Sequence, residues 1–178
     1  MKEPNNISLR AMEPEDLDLL YKIENDMKMW DISTTNVPYS RYMLHDYIAG
    51  STGDIFTDRQ VRLIIEKDKK TAVGLVDLVD FDPRNRRAEV GIVILKEYQN
   101  EGFATEALTQ IEHYSTEVVH LHQLYAFIDM DNNSSIRLFM KAGYERGGEL
   151  QQWTFDGKKY HHALIMQRFL EKSQGIIC

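Results

Sequence analysis

Gln99-Asn100-Glu101-Gly102-Phe103-Ala104 is the stretch on which the reading of this chain turns. It lies between an apolar, strand-like run over residues 88–95 and a helix-like run over residues 103–118. A strand, a short turn and a helix that opens on a bare glycine make a natural anion cradle. Several backbone N–H groups point the same way, and the helix dipole adds partial positive charge. Gly102 lets backbone approach a phosphate where a Cβ would intrude. The arrangement predicts a phosphate-bearing ligand. It is not a P-loop, which needs Gly-Lys-Ser/Thr, nor the dinucleotide signature, which wants three glycines where this stretch has Gly102 alone. Taken by itself, the hexapeptide also fits an ordinary strand-to-helix turn that contains one glycine.

A second segment extends the pattern. Asp131-Asn132-Asn133-Ser134-Ser135-Ile136-Arg137-Leu138-Phe139-Met140-Lys141-Ala142-Gly143-Tyr144 comes after a strand-like run over residues 124–128. Asp131 or Asn132 suits a helix N-cap, and Gly143 suits the C′ position that ends it. The pattern Gln-x-x-Gly-x-Ala after an apolar strand resembles the pyrophosphate loop of the GNAT superfamily of N-acetyltransferases. The Asn, Ser-rich helix and Gly-Tyr resemble that family's other signature, and the two stand in the family's order. The resemblance runs from about residue 7 to residue 169.

It implies a GNAT fold, an α/β (α+β) arrangement. A mixed, mostly antiparallel sheet of six to seven strands would carry helices on both faces, in a single domain over 1–178. It implies acetyl-CoA as co-substrate, with the acetyl group passed to a primary amine by direct attack on the thioester. Backbone at Ile92, Val93 and Ile94 would hold the pantetheine and thioester. Backbone from Gln99 through Asn100, Glu101, Gly102 and Phe103 to Ala104 would hold the pyrophosphate. Asn132, Ser135 and Lys141 would lie near the pantetheine arm or the nucleotide. Many relatives are dimers or larger, so a homo-oligomer is an expectation of the same kind.

Composition agrees with an ordinary globular chain. The 178 residues are 43% apolar and 28% charged, enough for one domain with a substantial core. No apolar run reaches the ~18–20 residues of a membrane span, and residues 1–8 lack the basic-then-apolar layout of a signal peptide. Cys178 is the single cysteine, so no intramolecular disulfide can form; a reducing, cytoplasmic setting is the simple expectation. The net charge of −7 disfavours nucleic acid and favours a cationic partner weakly, and aid to solubility is its plainer reading.

Periodicity places the elements. Residues 7–12 read as a strand, 14–27 as a helix, 29–39 as irregular and aromatic, and 41–49 as a second helix. Residues 61–66 and 71–81 read as a hairpin. In its second strand Val73, Leu75, Asp77, Val79 and Phe81 would share one face, and Gly74, Val76, Leu78 and Asp80 the other. In the 88–95 strand, Glu89, Gly91, Val93 and Leu95 fall on one side, and Gly91 predicts a bulge or a close backbone approach. In GNAT enzymes the corresponding strand is bulged and splays from its neighbour. Phe103, Ala107, Leu108, Ile111, Tyr114 and Val118 form a helical stripe, and residues 144–155 and 159–168 a last hairpin turned at Asp156-Gly157.

Acetyl transfer needs a neutral amine, a polarised carbonyl and an acceptable thiolate. Glu89 is the first candidate for the general base, against the reading of a salt-bridged or solvated strand glutamate. The run 74–80 with Arg87-Ala88-Glu89 resembles spermidine/spermine N-acetyltransferases, where Asp80 would be the carboxylate that faces a cationic substrate. The Ser134 to Gly143 helix resembles the ribosomal-protein N-terminal acetyltransferases more. Polyamine enzymes carry a tyrosine acid at the position of Phe139, and phenylalanine has no proton to give; Tyr144 is a core aromatic before it is a substitute. A polyamine amine of pKa ~10.4 is neutral in about one molecule in 2,500 at pH 7, against roughly one in ten for an α-amino group. On that count the chain leans slightly towards an N-terminal acceptor, with a polyamine as alternative and a catalytically weak CoA-binding sensor as the alternative of another class. One of His161 and His162 is expected to face the sheet. His113, His120 and His122 show no metal-ligand spacing, and no metal is expected. Trp30, Tyr39, Tyr42 and Tyr47 are candidates for the acceptor mouth or for core packing.

Overall fold

The computed structural model describes residues 6–26 and 37–170. Cys178, Trp30 and most of the irregular 29–39 stretch lie outside them. Seven strands form one sheet: β1 (Ile7–Ala11), β2 (Val61–Lys67), β3 (Thr71–Asp82), β4 (Arg87–Ile94), β5 (Gln123–Asp129), β6 (Glu145–Phe155) and β7 (Tyr160–Phe169), in the order β1-β2-β3-β4-β5-β7-β6. Every neighbouring pair is antiparallel except β4 and β5. The single parallel pair needs a crossover, and α4 (Phe103–Glu117) supplies it. Among the described residues no helix is long and apolar enough to cross a membrane.

Helices cover both faces. On one side α4 and α5 (Asn133–Lys141) bury Phe103, Ala107, Leu108, Ile111, Ile136 and Phe139 against Val76, Leu78, Val90, Leu124 and Ala126. On the other, α1 (Leu17–Glu24) and α2 (Arg41–Gly50) close Leu20, Ile23 and Leu44 over Ile64 and Leu75. The helix expected over 14–27 begins as a 3-10 turn, Pro14–Asp16, and α1 ends at Glu24. A short helix, α3 (Ile55–Asp58), follows the loop over 51–54; Asp54 caps it by accepting from the Phe56 N–H.

Two departures concern faces. The α4 stripe runs Phe103, Ala107, Leu108, Ile111, Ser115, while Val118 is 63% exposed. At 3.6 residues per turn position 118 would fall on the buried face, but it is the C-cap just past Glu117, where the chain leaves the helix and the periodicity no longer holds. In β3 the expected alternation breaks twice. The register with β2 slips between Ile65 and Glu66, opposite Val73, and the register with β4 slips between Val79 and Asp82. Each bulge inserts a residue and flips the facing of the residues beyond it. Val73 and Phe81 therefore join Val76 and Leu78 on the α4 face, while Leu75 stays on the α1/α2 face.

Gly91 shows no bulge: its pairing with Asp77 is in register, and a Cβ there would meet Asp77 Cβ at an ordinary 3.9 Å. The close backbone approach is at Gly74 instead, where a Cβ would lie 2.1 Å from the Val93 carbonyl oxygen. That neighbour is backbone and cannot swing away. Gly74→Ala is accordingly expected to cost about 1–3 kcal/mol by overpacking, whereas Gly91→Ala leaves stability nearly unchanged; urea unfolding of the two variants measures the contrast.

Candidate active site

The parallel contact between β4 and β5 is short. It comprises Arg87–Gln123, Ala88–Leu124 and Glu89–Tyr125. Beyond that point β4 continues over residues 90–94, still paired to β3 from Val90–Leu78 to Ile94–Gly74, and β5 continues to Asp129 paired to β7. The two strands part, and each presents one edge of its backbone to the gap. Unpaired strand edges are hydrogen-bonding surface in search of a partner. Ile92, Val93 and Ile94, the residues expected to hold an extended amide-bearing chain, line this edge. Gln99 Nε2 donates to the Ile94 carbonyl at 3.0 Å, so the Gln99 side chain ties the loop after β4 to the strand end.

That loop is built as an anion cradle requires. After a 3-10 turn at Lys96–Tyr98, Asn100 and Gly102 both adopt left-handed backbone, with φ of 63° and 97°. Gly102 is the N-cap of α4, and Glu106 N–H is the first to bond back, to the Gly102 carbonyl at 3.2 Å. The N–H groups of Phe103, Ala104 and Thr105 have no intrahelical partner and point out of the positive end of the helix dipole. Lys67 Nζ stands 5.4 Å from the centroid of the Phe103 ring and adds a cation nearby. Phe103 itself is buried and anchors the helix start; Glu101 is exposed.

At the start of α5, Asn132 Oδ1 accepts from Ser135 N–H at 3.1 Å and from Ser134 Oγ–H at 2.9 Å. Asn132 is thus the cap, and Gly143 ends the helix with φ 87°. Ser135 is half-buried beside it. Lys141 is exposed in the last turn, about 13 Å along the helix from Asn132. Phe139 is buried, with its ring edge-on to Tyr144 at 4.9 Å. Burial lifts the Tyr144 hydroxyl far above its usual range, and the charges that act on it are Glu112 and Arg168, on α4 and β7. Tyr144 is a core residue.

The face of the sheet away from α4 carries the titratable groups. Glu89 and Tyr125 are paired at the last position before β4 and β5 diverge. Burial, and then the charge of Asp80, push the Glu89 carboxyl up to about 7. Tyr125 is raised by burial and by the charges of Glu89 and Asp80. Asp80 occupies the β3 bulge with φ 48° and is exposed. The alternation that would have set Asp77 and Asp80 on opposite faces is broken there, and the two differ instead in their partners. Asp77 is spoken for: both its oxygens accept from Arg62, at 2.9 and 2.7 Å, and Arg62 also reaches Glu24. Tyr47 packs in this cluster with the Arg62 guanidinium 5.6 Å from its ring centroid; Tyr39 is tied by backbone to Asn25; Tyr42 is 74% exposed.

His113, His120, His122 and His162 are exposed, and His161 is half-buried. Tyr125 was not anticipated. Its place in β5 is plain from alternation, but its position across from Glu89 appears only once β4 and β5 are paired.

Known proteins share both this sequence pattern and this geometry. The family described as Acetyltransferase (GNAT) domain matches residues 6–145. Spermidine N(1)-acetyltransferase of Escherichia coli K12 is 32% identical over 170 residues, 93% of this chain and 87% of that one. The crystal structure of the Vibrio cholerae spermidine N-acetyltransferase with CoA and spermine superposes with a TM-score of 0.80 at 25% identity, over 92% of this chain and 95% of that one. A dodecameric structure of the same enzyme has a TM-score of 0.77 at 25% identity, over 92% and 94%. The ribosomal-protein-serine acetyltransferase of E. coli K12 is 20% identical, over 96% of this chain and 97% of that one.

Three outcomes are expected. Gly102→Glu places a bulky anion in the cradle and strains a left-handed backbone position, so CoA binding by calorimetry is lost; undiminished affinity would mean that the phosphates sit elsewhere. Asp77→Asn leaves Arg62 half-paired in the interior and lowers unfolding free energy by about 3 kcal/mol. Asp80→Asn, at an exposed site, changes it by less than about 0.5 kcal/mol.

Proposed function

The chain belongs to the GNAT family of acetyl-CoA-dependent N-acetyltransferases, and on that premise we propose that its acceptor is a polyamine and that Glu89 is the general base. The observation that carries this is the position of half-buried Glu89, its carboxyl raised to about 7 by burial and then by the charge of the exposed Asp80, at the point where β4 and β5 part. A cationic acceptor meets negative charge there, and a base of pKa near neutrality both stays ionised in weakly alkaline solution and accepts a proton readily. The amine nitrogen then attacks the thioester carbonyl, the C–N bond forms, the C–S bond breaks, and the amine proton passes to Glu89 directly or through water.

Gly102 and its neighbours would orient the phosphates, and the edge at Ile92, Val93 and Ile94 would orient the chain leading to the thioester. Asn132 and Ser135, with Lys141 at the far end of α5, would flank the rest. With phenylalanine at position 139 the departing thiolate takes its proton from solvent or from another group. The missing tyrosine favours the second reading, an N-terminal α-amine, which needs less help from a base. The likeness to the polyamine enzymes, 32% against 20%, and the Glu89–Asp80 pair outweigh it. Self-association is proposed on the same likeness, and the exposed aromatics Trp153, Phe155 and Tyr160 on the sheet's last hairpin suit it.

Thiol release from acetyl-CoA with spermidine, spermine, peptides with free N-termini and N-blocked lysine peptides tests the acceptor. Polyamine turnover is expected; turnover only with free N-termini would overturn the proposal.

Glu89→Gln tests the base. An ionised carboxylate is required, so kcat/KM of the parent rises as pH passes upward through about 7. The variant should lose that inflection and fall at least about 100-fold. Stability separates this from a structural role. The raised carboxyl makes the folded chain hold a proton that the unfolded chain releases, so Glu89's contribution is full at low pH and lost as pH rises through about 7. Gln removes that loss and leaves the protein no less stable at pH 8. An unchanged pH profile would make Glu89 a packing residue.

A further inference from the structure

Where β5 turns towards α5, side chains from separate elements converge. Asp129 ends β5, Asp131 lies in the turn and His161 stands in β7; one ligand-type atom from each lies within 4.8 Å of the others. His161 Nδ1 is 3.3 Å from Asp129 Oδ2 and 3.7 Å from Asp131 Oδ2. On the other side of the ring, Nε2 is 2.8 Å from Asp156 Oδ2. Asp156 is fixed in turn by its Oδ1, which accepts from the N–H groups of Lys158 and Lys159 at 2.7 and 2.8 Å.

This differs from a patch of surface carboxylates. An imidazole supplies a nitrogen, and its outer nitrogen is already engaged by a carboxylate. That is the arrangement which, in metal sites, fixes the tautomer and leaves the inner nitrogen's lone pair for the ion. The Nδ1–oxygen separations are long for hydrogen bonds. Ligands about 2.1 Å from a common ion stand about 3.0 Å apart in an octahedron and about 3.4 Å in a tetrahedron; the separation to Asp129 falls in that range, and the one to the exposed Asp131, 3.7 Å, lies just beyond it. The His161 and Asp129 side chains are only 17% and 18% exposed, while Asp131 is 82% exposed, so one side is open to solvent and to an entering ion. Three carboxylates surround one imidazole, and the group keeps excess negative charge whichever form the ring takes.

We propose that Asp129, Asp131 and His161 bind a divalent transition-metal ion of the Zn2+ class, with Asp156 orienting the histidine from outside. One imidazole nitrogen and two carboxylate oxygens, completed by water, suit such an ion better than Mg2+, which prefers oxygen alone. The site stands at the C-terminal end of β5, beyond the β4 contact at Tyr125. It fastens the turn that presents Asn132: the Asp129 carbonyl accepts from Asn132 N–H at 2.9 Å, its Oδ1 accepts from Asp131 N–H at 2.7 Å, and Met130 N–H donates to the His162 carbonyl at 3.0 Å. An ion there joins the β5–α5 turn to the β6–β7 hairpin.

Zn2+ titrated into the chelator-stripped full-length protein, in competition with a chromophoric chelator, tests the assignment, with Mg2+ as comparison and thermal unfolding as a second readout. One equivalent of Zn2+ with a rise in Tm, and neither with Mg2+, is expected. Asp131→Asn, on an exposed side chain that the fold does not need, should weaken that equivalent at least tenfold, and Asp156→Asn by about 10–100-fold. Absence of Zn2+ binding would overturn the proposal. So would an equivalent that survives intact in both Asp131→Asn and His161→Gln; His161 would then be an imidazolium clasped by its carboxylates and no ligand.

Discussion

The architecture depends on a parallel strand contact that stops after three residue pairs. β4 and β5 hold together through Arg87, Ala88 and Glu89 and then separate, each staying paired to the antiparallel neighbour on its other side. Continuing the ladder would have satisfied the backbone of residues 90–94 internally. Stopping it leaves a polar edge inside an otherwise apolar sheet, a cost that makes sense only if something else supplies the hydrogen bonds. The α4 crossover starts just past the end of β4, so its N-terminal N–H groups and Gly102 stand at the mouth of the same gap. On the proposed reading, this one topological fact would bring the extended and the phosphate-bearing parts of a ligand into a single slot, with Glu89 and Tyr125 at its apex.

Charge is partitioned around this slot by the bulges of β3. Two aspartates three positions apart in one strand do different work. Asp77 lies in regular strand beneath α1 and α2, where Arg62 neutralises it and Glu24 shares the guanidinium. Asp80 lies in left-handed backbone at the bulge, with its charge bearing on Glu89. Buried pairs of the first kind are structural, since removing one partner strands the other. The second kind, an exposed carboxylate beside a half-buried one, holds a proton affinity near neutrality and draws cations. That division is the physical basis for reading the α1/α2 face as the acceptor side.

Much of this was legible in the chain. The order of strands and helices, the Gly102 turn, the Asn132 cap and the Gly143 stop rest on local periodicity and on residues with special backbone preferences, and local signals survive folding. What was not legible came from pairing. The slips opposite Val73 and at Asp80 depend on the partner strands, so strict alternation misassigned Val73 and Phe81. Gly91 drew attention as the strand glycine, yet the close contact is at Gly74, set by a carbonyl on the neighbouring strand. Tyr125 and the convergence of Asp129, Asp131 and His161 join residues far apart in sequence, with no shared motif to announce them.

The central claim is that the phosphate-bearing ligand and the cationic acceptor meet across the gap between β4 and β5. A bisubstrate analogue, CoA joined through its sulfur and an acetyl bridge to spermidine, measures this directly by calorimetry. The account predicts that it binds more tightly than CoA, and that Asp80→Asn removes the gain while leaving CoA affinity alone. An analogue that binds no better than CoA, or an Asp80 substitution that weakens both equally, would contradict it.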